Sequence, residues 1–294
     1  MNRTLQILRS LWRPLCAAAL AVPLLGIQGL ASAAQPPSTM DRTVALEFDN
    51  GTGTLLKATE GTLSRSSDQG RTWTPISLPA SMARTTIATV AVSDGDKGAL
   101  YVAGRASGVL RSKDGGRSWV PANKGLPKRG VSALATHAGQ PDTVYAHVTG
   151  KGFFRSQDGG ANWRLMDRGP REKIVHFVHS SMPGSMETGW LFAGTPDGVR
   201  RSMDCFCGWH KAGELAGKIT AVAYDPDQPQ RVYVSTAKGL FVSADGGEQW
   251  SSMKSPEATI TALAAAPSGV LYAAGNGSLY RSGNRGETWE KIDA

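Results

Sequence analysis

Apolar and polar positions alternate in short bursts along most of this chain, each burst closed by Gly, Asp or Pro. The phrases "VYAHVTGKGFFRS", "VYVSTAKGLFVS" and "LYAAGNGSLYRS" each read as strand, glycine turn, strand, with β-branched and aromatic residues set between small ones. The stretch that opens "TIATVAV" extends the pattern to four strands, continuing through "ALYVAG", "VLRS" and "SWVPA". No stretch after the first forty residues carries a helical period.

The pattern recurs six times, marked by an eight-residue segment such as "SKDGGRSW" between the third and fourth strands. The segments open on Ser66, Ser112, Ser156, Ser202, Ser243 and Ser282, and close on Trp73, Trp119, Trp163, Trp209, Trp250 and Trp289. Two places after each serine stand Asp68, Asp114, Asp158, Asp204 and Asp245, with Asn284 in the sixth copy. Spacings of 39 to 46 residues mean one supersecondary unit stacked on copies of itself. In each segment the aspartate accepts hydrogen bonds from turn N–H groups and glycine supplies a positive φ. The tryptophan, burying ~150–250 Å² between neighbouring sheets, contributes several kcal/mol at ~25 cal/mol per Å² before entropy is subtracted. The segment is therefore structural. Four-stranded antiparallel sheets repeated radially predict an all-β fold, a six-bladed β-propeller over residues 42–294. "TVALEF" opens the first blade and "TWEKIDA" ends the last, so the ring is expected to close without an exchanged strand.

This S-x-D-x-G-x-x-W pattern resembles the Asp-box, or bacterial neuraminidase repeat, and covers essentially all of the chain after the leader, notably "YDPDQPQRVYVSTAKGLFVSADGGEQW" from Tyr224 to Trp250. The resemblance extends to sialidases, xyloglucanase-type glycosidases, sortilin-like receptors and photosystem II assembly-factor propellers. It implies the fold but not an activity, because enzymes and non-enzymes share the motif. A sialidase-like site implies three substrate-binding arginines, a Tyr–Glu nucleophile pair and an acid/base aspartate. Here Arg65, Arg111, Arg155, Arg201 and Arg281 all precede a repeat serine and read as part of the repeat. Tyr101, Tyr145, Tyr233 and Tyr272 share one strand position and read as core, while Tyr224 and Tyr280 have no glutamate close in sequence. An inverting glycosidase needs two carboxylates ~6.5–9.5 Å apart, whereas most aspartates here fall in turns. The reading is a non-catalytic scaffold without a cofactor. A glycoside hydrolase with a diverged site is the alternative, and a receptor-like module the third reading.

Composition places this fold in a compartment. Arg3, Arg9 and Arg13 precede an apolar run that ends in Ala31-Ser32-Ala33, the small-x-small pattern of an export signal. Residues 1–33 are expected to be a cleaved signal peptide and 34–41 a linker, with the protein periplasmic or secreted. Cys16 has no lipobox around it, and no later stretch is long and apolar enough to span a bilayer. Losing the three arginines leaves 29 basic against 24 acidic residues, an excess too small to argue for nucleic acid. A monomer is expected.

Propeller topology sorts the loops onto two faces. Fourth-to-first and second-to-third connections share one, and there stand Arg42, Arg84, Arg105, Lys128, Arg129, Lys151, Lys173, Lys218 and Lys238, against Glu60, Glu172 and Asp197. The other carries Asp49, Asp94, Asp96, Asp142, Glu187, Asp225 and Asp227 besides the segment aspartates. The first face is predicted to be a positive funnel mouth that binds an anionic protein, peptide or glycan. The resemblance to photosystem-assembly propellers implies a basic surface patch as well. In the fourth copy, "SMDCFCGW", soft ligands gather: His176, His179, Met182, Met186, Met203, Cys205, Cys207 and His210. Thiolate, thioether and imidazole suit Cu(I) or Zn(II), with Met182, Met186, Cys205, Cys207 and His210 as the candidate set. The other reading is redox: Cys205 and Cys207 stand near the upper Cα limit for a disulfide unless a tight turn draws them together, and otherwise remain free or pair between molecules. His137 and His147 read as packing residues.

Overall fold

The structure, a computed structural model, describes residues 42–82, 85–93, 98–127, 130–170 and 172–292. The leader and linker expected over 1–41 lie outside them. Six four-stranded antiparallel sheets follow one another, each built from four consecutive strands, so the fold is the six-bladed β-propeller that the repeats imply. The second blade is typical: Ile87–Val92, Leu100–Gly104, Gly108–Ser112 and Val120–Pro121, running from the inner strand outwards. Every residue of the second strands Leu100–Gly104 and Val144–Val148 is buried, because neighbouring blades cover both faces.

The core is divided among the contacts between blades. An apolar cluster fills each of the six contacts, such as Tyr101, Val109 and Ala122 of blade two against Leu134, Val144 and Trp163 of blade three. Tyr101, Tyr145, Tyr233 and Tyr272 are at most 2% exposed, as their shared strand position requires.

The recurring eight-residue turn provides three ties. The Ser112 hydroxyl donates to Asp114 at 2.7 Å and accepts from the Gly116 N–H at 2.7 Å. The same pair of bonds recurs at Ser66, Ser156, Ser243 and Ser282. The hydroxyl and backbone N–H of Thr72, with the Ser66 hydroxyl, hold the Asp68 carboxyl down at about 2. In four blades the tryptophan indole reaches back to the end of the preceding blade: Trp119 donates to Ser77 O at 2.9 Å, Trp163 to Ala122 O at 2.9 Å, Trp250 to Ala212 O at 2.8 Å and Trp289 to Lys254 O at 3.0 Å, while the indoles of Trp73 and Trp209 have no partner among the described residues. In blades one to four the arginine before the serine reaches forward, whereas Arg281 of blade six bonds Glu290 of its own blade. Arg65 donates to Gly115 O, Arg111 to Gly159 O, and Arg201 to Gly246 O at 2.7 Å, each in the next blade's turn. The fifth blade has Val242 at that position, and the tie runs backward instead, from Arg285 of blade six to Asp225 at 3.1 Å.

Each sheet is complete in sequence, so blades one and six meet without sharing a strand. Hydrogen bonding and apolar packing join them. The Thr261 hydroxyl donates to Thr43 O at 2.9 Å, and Leu46 and Leu55 pack with Ala262, Tyr272 and Leu279. Thr220 makes the equivalent bond one blade earlier, to Ile260 O at 2.7 Å.

Candidate functional site

Six of the nine predicted cationic positions can be placed. Arg42, Arg105, Lys151, Lys173, Lys218 and Lys238 are all exposed, in second-to-third turns or before inner strands. Arg84, Lys128 and Arg129, with Asp94 and Asp96 of the other face, lie outside the described residues. None of the six placed cations joins an ion pair among the described residues. Glu172, one of the few acids on that face, is taken up by Arg200. On the opposite face several of the acids are engaged internally. Asp49 closes its own turn onto Gly51 N and Thr52 N, Asp225 pairs with Arg285, and Glu187 pairs with Arg155. That face is not uniformly acidic, since Arg71, Lys113 and Arg117 stand exposed in its turns. The two faces thus differ in which charges are left unpaired more than in which signs are present.

The funnel expected beneath the cationic rim is displaced. The cavity enclosed by the inner strands is lined by Glu47, Phe48, Thr136, His176 and Tyr224, and Asn50, Ala138 and Pro226 of first-to-second turns stand at its end. Among the described residues, no predicted cation lines it. At the other end Thr220 and Thr261 turn their hydroxyls onto neighbouring inner strands. What the cationic face does offer is an apolar groove between blades one and two, formed by Leu63, Ile76, Leu78, Pro79, Met82 and Ile87. The backbone N–H of Arg105 donates to Thr86 O at 3.4 Å, which places the main chain of that residue beside the groove.

The fourth blade departs from the others. The Ser202 hydroxyl donates to Met203 O at 3.0 Å rather than to Asp204, and Asp204 turns into the interior with no exposed surface. There it accepts from the Thr188 hydroxyl at 2.5 Å, from the Thr188 N–H and from His179 Nε2 at 3.3 Å, while His137 Nε2 stands 3.8 Å away. The two imidazoles stack with ring centroids 3.9 Å apart. Burial pushes the Asp204 carboxyl up, but the bonds from His179 and Thr188 outweigh it and hold it at about 2. Burial, reinforced by His179, lowers His137 to about 4.

His137, His179 and Asp204 bring three potential ligand atoms within 4.8 Å of one another. Their protons argue against a metal. Ala138 N–H donates to His179 Nδ1 at 3.1 Å and Gly139 N–H to His137 Nδ1 at 2.9 Å. A neutral imidazole has one N–H, which both rings must then carry on Nε2, the atom that would have to bind the ion. His137 Nε2–H donates instead to the Thr188 hydroxyl at 2.6 Å, and every polar group of the cluster finds a partner.

The soft-metal set predicted from sequence does not converge. Cys205 and Cys207 are joined in a disulfide with their Cα atoms 5.4 Å apart, so neither thiolate is available. Met182 packs into the contact between blades four and five, Met186 is 76% exposed, and His210 lies on the exposed outer strand. His176 accepts from the Val222 N–H of the next blade at 3.4 Å and stands apart from the others. The part played by His137 and Thr188 gave no sequence signal, because both are brought to Asp204 by the packing of two blades. His147 is a packing residue, bonded to Ser132 at 2.7 Å and set against Phe153.

No protein-family model matches the chain, and no curated protein is detectably similar in sequence. Solved structures are similar in fold alone. The GH74 enzyme of Niastella koreensis aligns with a TM-score of 0.59 and 17% identity over 84% of this chain and 46% of its own. YCF48 bound to D1 peptide aligns with a TM-score of 0.58 and 20% identity over 87% and 83%. The nidogen/laminin complex contributes a chain with a TM-score of 0.65 and 14% identity over 82% and 94%. The chain spans about half the length of the GH74 enzymes it matches. The class that fold and comparisons define is a β-propeller.

Proposed function

We propose that this chain is an exported, non-catalytic Asp-box propeller that binds an acidic peptide segment of a protein partner. The segment lies across the groove between blades one and two, with its apolar side chains on Leu63, Ile76 and Met82 and its carboxylates toward Arg105 and the other unpaired cations. The observation that carries this reading is the contrast in pairing: the rim cations are exposed without ion-pair partners, whereas Asp49, Asp225 and Glu187 are already engaged. Unpaired cations around an apolar groove favour encounter with an anionic, partly apolar segment. That propellers of this fold are seen with a peptide, as in YCF48 bound to D1 peptide, and in a protein complex, as in nidogen/laminin, supports a protein partner. Export is part of the proposal and rests on the arginine-led apolar run that ends at Ala33.

The glycosidase alternative would use the inner cavity, where Glu47 is the one carboxylate among the described lining residues. The mechanism common to most glycosidases needs two. The test is fluorescence anisotropy with a synthetic peptide library graded in charge and hydropathy. Acidic, apolar peptides bind, their affinity falls with added salt, and both Met82→Glu and the triple charge reversal of Arg105, Lys151 and Lys238 weaken binding at least tenfold. Equal binding of neutral and basic peptides, or charge-reversed protein that binds as before, refutes it. Turnover of a fluorogenic glycoside panel would instead establish the enzyme.

A further inference from the structure

In the fourth turn Cys205 and Phe206 occupy the places of the two glycines of the second, Gly115 and Gly116. The glycines at the Phe206 place have φ between 85° and 93°, and Phe206 keeps the left-handed conformation at 58°. Its ring is 8% exposed and sits 6.0 Å from Tyr145, 5.9 Å from Phe153 and 6.4 Å from Trp209. On either side of it Cys205, half-buried, and Cys207, exposed, form the disulfide.

This bond is not needed to hold the turn. Phe206 N–H donates to Met203 O at 2.9 Å, Asp204 N–H to Gly189 O at 3.1 Å, and the Asp204 carboxylate is anchored by His179 and Thr188. Crosslinks stabilise chiefly by constraining the loop that they close, and a sequence separation of two is near the smallest loop there is. A crosslink in the solvent that the fold does not require is the kind that exchanges with thiols.

We infer that Cys205–Cys207 is a thiol–disulfide exchange site that oxidises a dithiol on a partner polypeptide. A partner thiolate attacks Cys207 Sγ, the exposed sulfur. The S–S bond breaks, its electron pair leaves on Cys205 Sγ, and that thiolate takes a proton from water. The partner's second thiol, deprotonated, then attacks its own sulfur in the mixed disulfide and releases Cys207 as a thiolate, which is protonated in turn. The partner loses two electrons and two protons and gains a disulfide; Cys205 and Cys207 become thiols. The protein's own disulfide is the oxidant, so one chain oxidises one dithiol. The site belongs to the turns of the face opposite the cationic rim, and it does not depend on peptide binding there.

The experiment mixes purified protein with a reduced synthetic peptide carrying two cysteines, then traps thiols by alkylation and reads masses. One equivalent of peptide disulfide forms per oxidised chain, and Cys205 and Cys207 become alkylated together. In the single variants, Cys205→Ser, which keeps the exposed thiol, forms a mixed disulfide with the oxidised peptide about tenfold faster than Cys207→Ser. The double serine variant keeps the wild-type thermal midpoint but oxidises no peptide. The inference fails if non-reducing peptide mapping finds no bond between the two cysteines, or if excess reduced peptide leaves that bond intact. It fails equally if the double variant melts as low as a core variant, which would make the bond a structural crosslink. Equal rates for the single variants would overturn attack at Cys207.

Discussion

Asp204 and Asp245 occupy the same place in two repeats and do opposite work. Asp245 is exposed and accepts from its own serine and from the N–H groups of Glu248 and Gln249. Asp204 is buried and serves the contact between two blades. Asp245→Ala should therefore cost about 1 kcal/mol, within the range for a single turn bond, whereas Asp204→Ala leaves the hydroxyl and N–H of Thr188 and the His179 imidazole without their acceptor and should cost about 2–3 kcal/mol or more. Urea unfolding of both variants measures the difference, and equal losses would contradict the buried role. The histidines give the protein a pH dependence with a definite sign. Burial lowers His137, His147 and His176 to about 4 from an ordinary 6.5. Between those values the unfolded chain takes up protons that the native state does not. Their contribution to stability is thus complete above pH 6.5 and lost as pH falls toward 4. A urea midpoint unchanged between pH 7 and 4.5 would show that these rings are not buried neutral. Sequence inspection placed His147 correctly as packing, but it could not separate Asp204 from its repeat relatives, since that distinction is made by Thr188 and by the neighbouring blade.

At the scale of the element, the eight-residue turn works as a joint between blades as well as a hairpin. Its serine and aspartate shape it, and in most blades the tryptophan reaches back and the preceding arginine forward. The second glycine is where a turn meets its neighbour. At Gly116 φ is +86°, and an added Cβ would lie 2.4 Å from Ile76 Cγ2 of the first blade. Gly116→Ala should cost about 2–3 kcal/mol, from backbone strain and overpacking together, and a thermal melt compares it with Gly139→Ala, whose added Cβ meets nothing within 4 Å. Similar midpoints would refute the joint. Strand order and turn chemistry were legible because each depends on residues close in sequence. The targets of the arginines were not, because their acceptors are carbonyls 45 to 50 residues away that carry no side-chain identity.

Over the whole molecule, the ring is closed by packing and by the Thr261 bond to Thr43 O, with no strand held in common. That junction should be the weakest of the six. Thr261→Val, nearly isosteric, should cost about 1 kcal/mol and raise amide hydrogen exchange mainly in the first and sixth blades. A uniform rise around the ring would mean that closure is not special.

By itself the sequence determined the number of blades, the four strands in each and the turn between the third and the fourth, because repeats and strand patterning are local properties copied along the chain. The tertiary structure alone decided which charges remain unpaired, which end of the channel is open space and what Asp204 binds. Those depend on distances between side chains of different blades, and a linear pattern holds no record of them until apolar burial has drawn the blades into a ring.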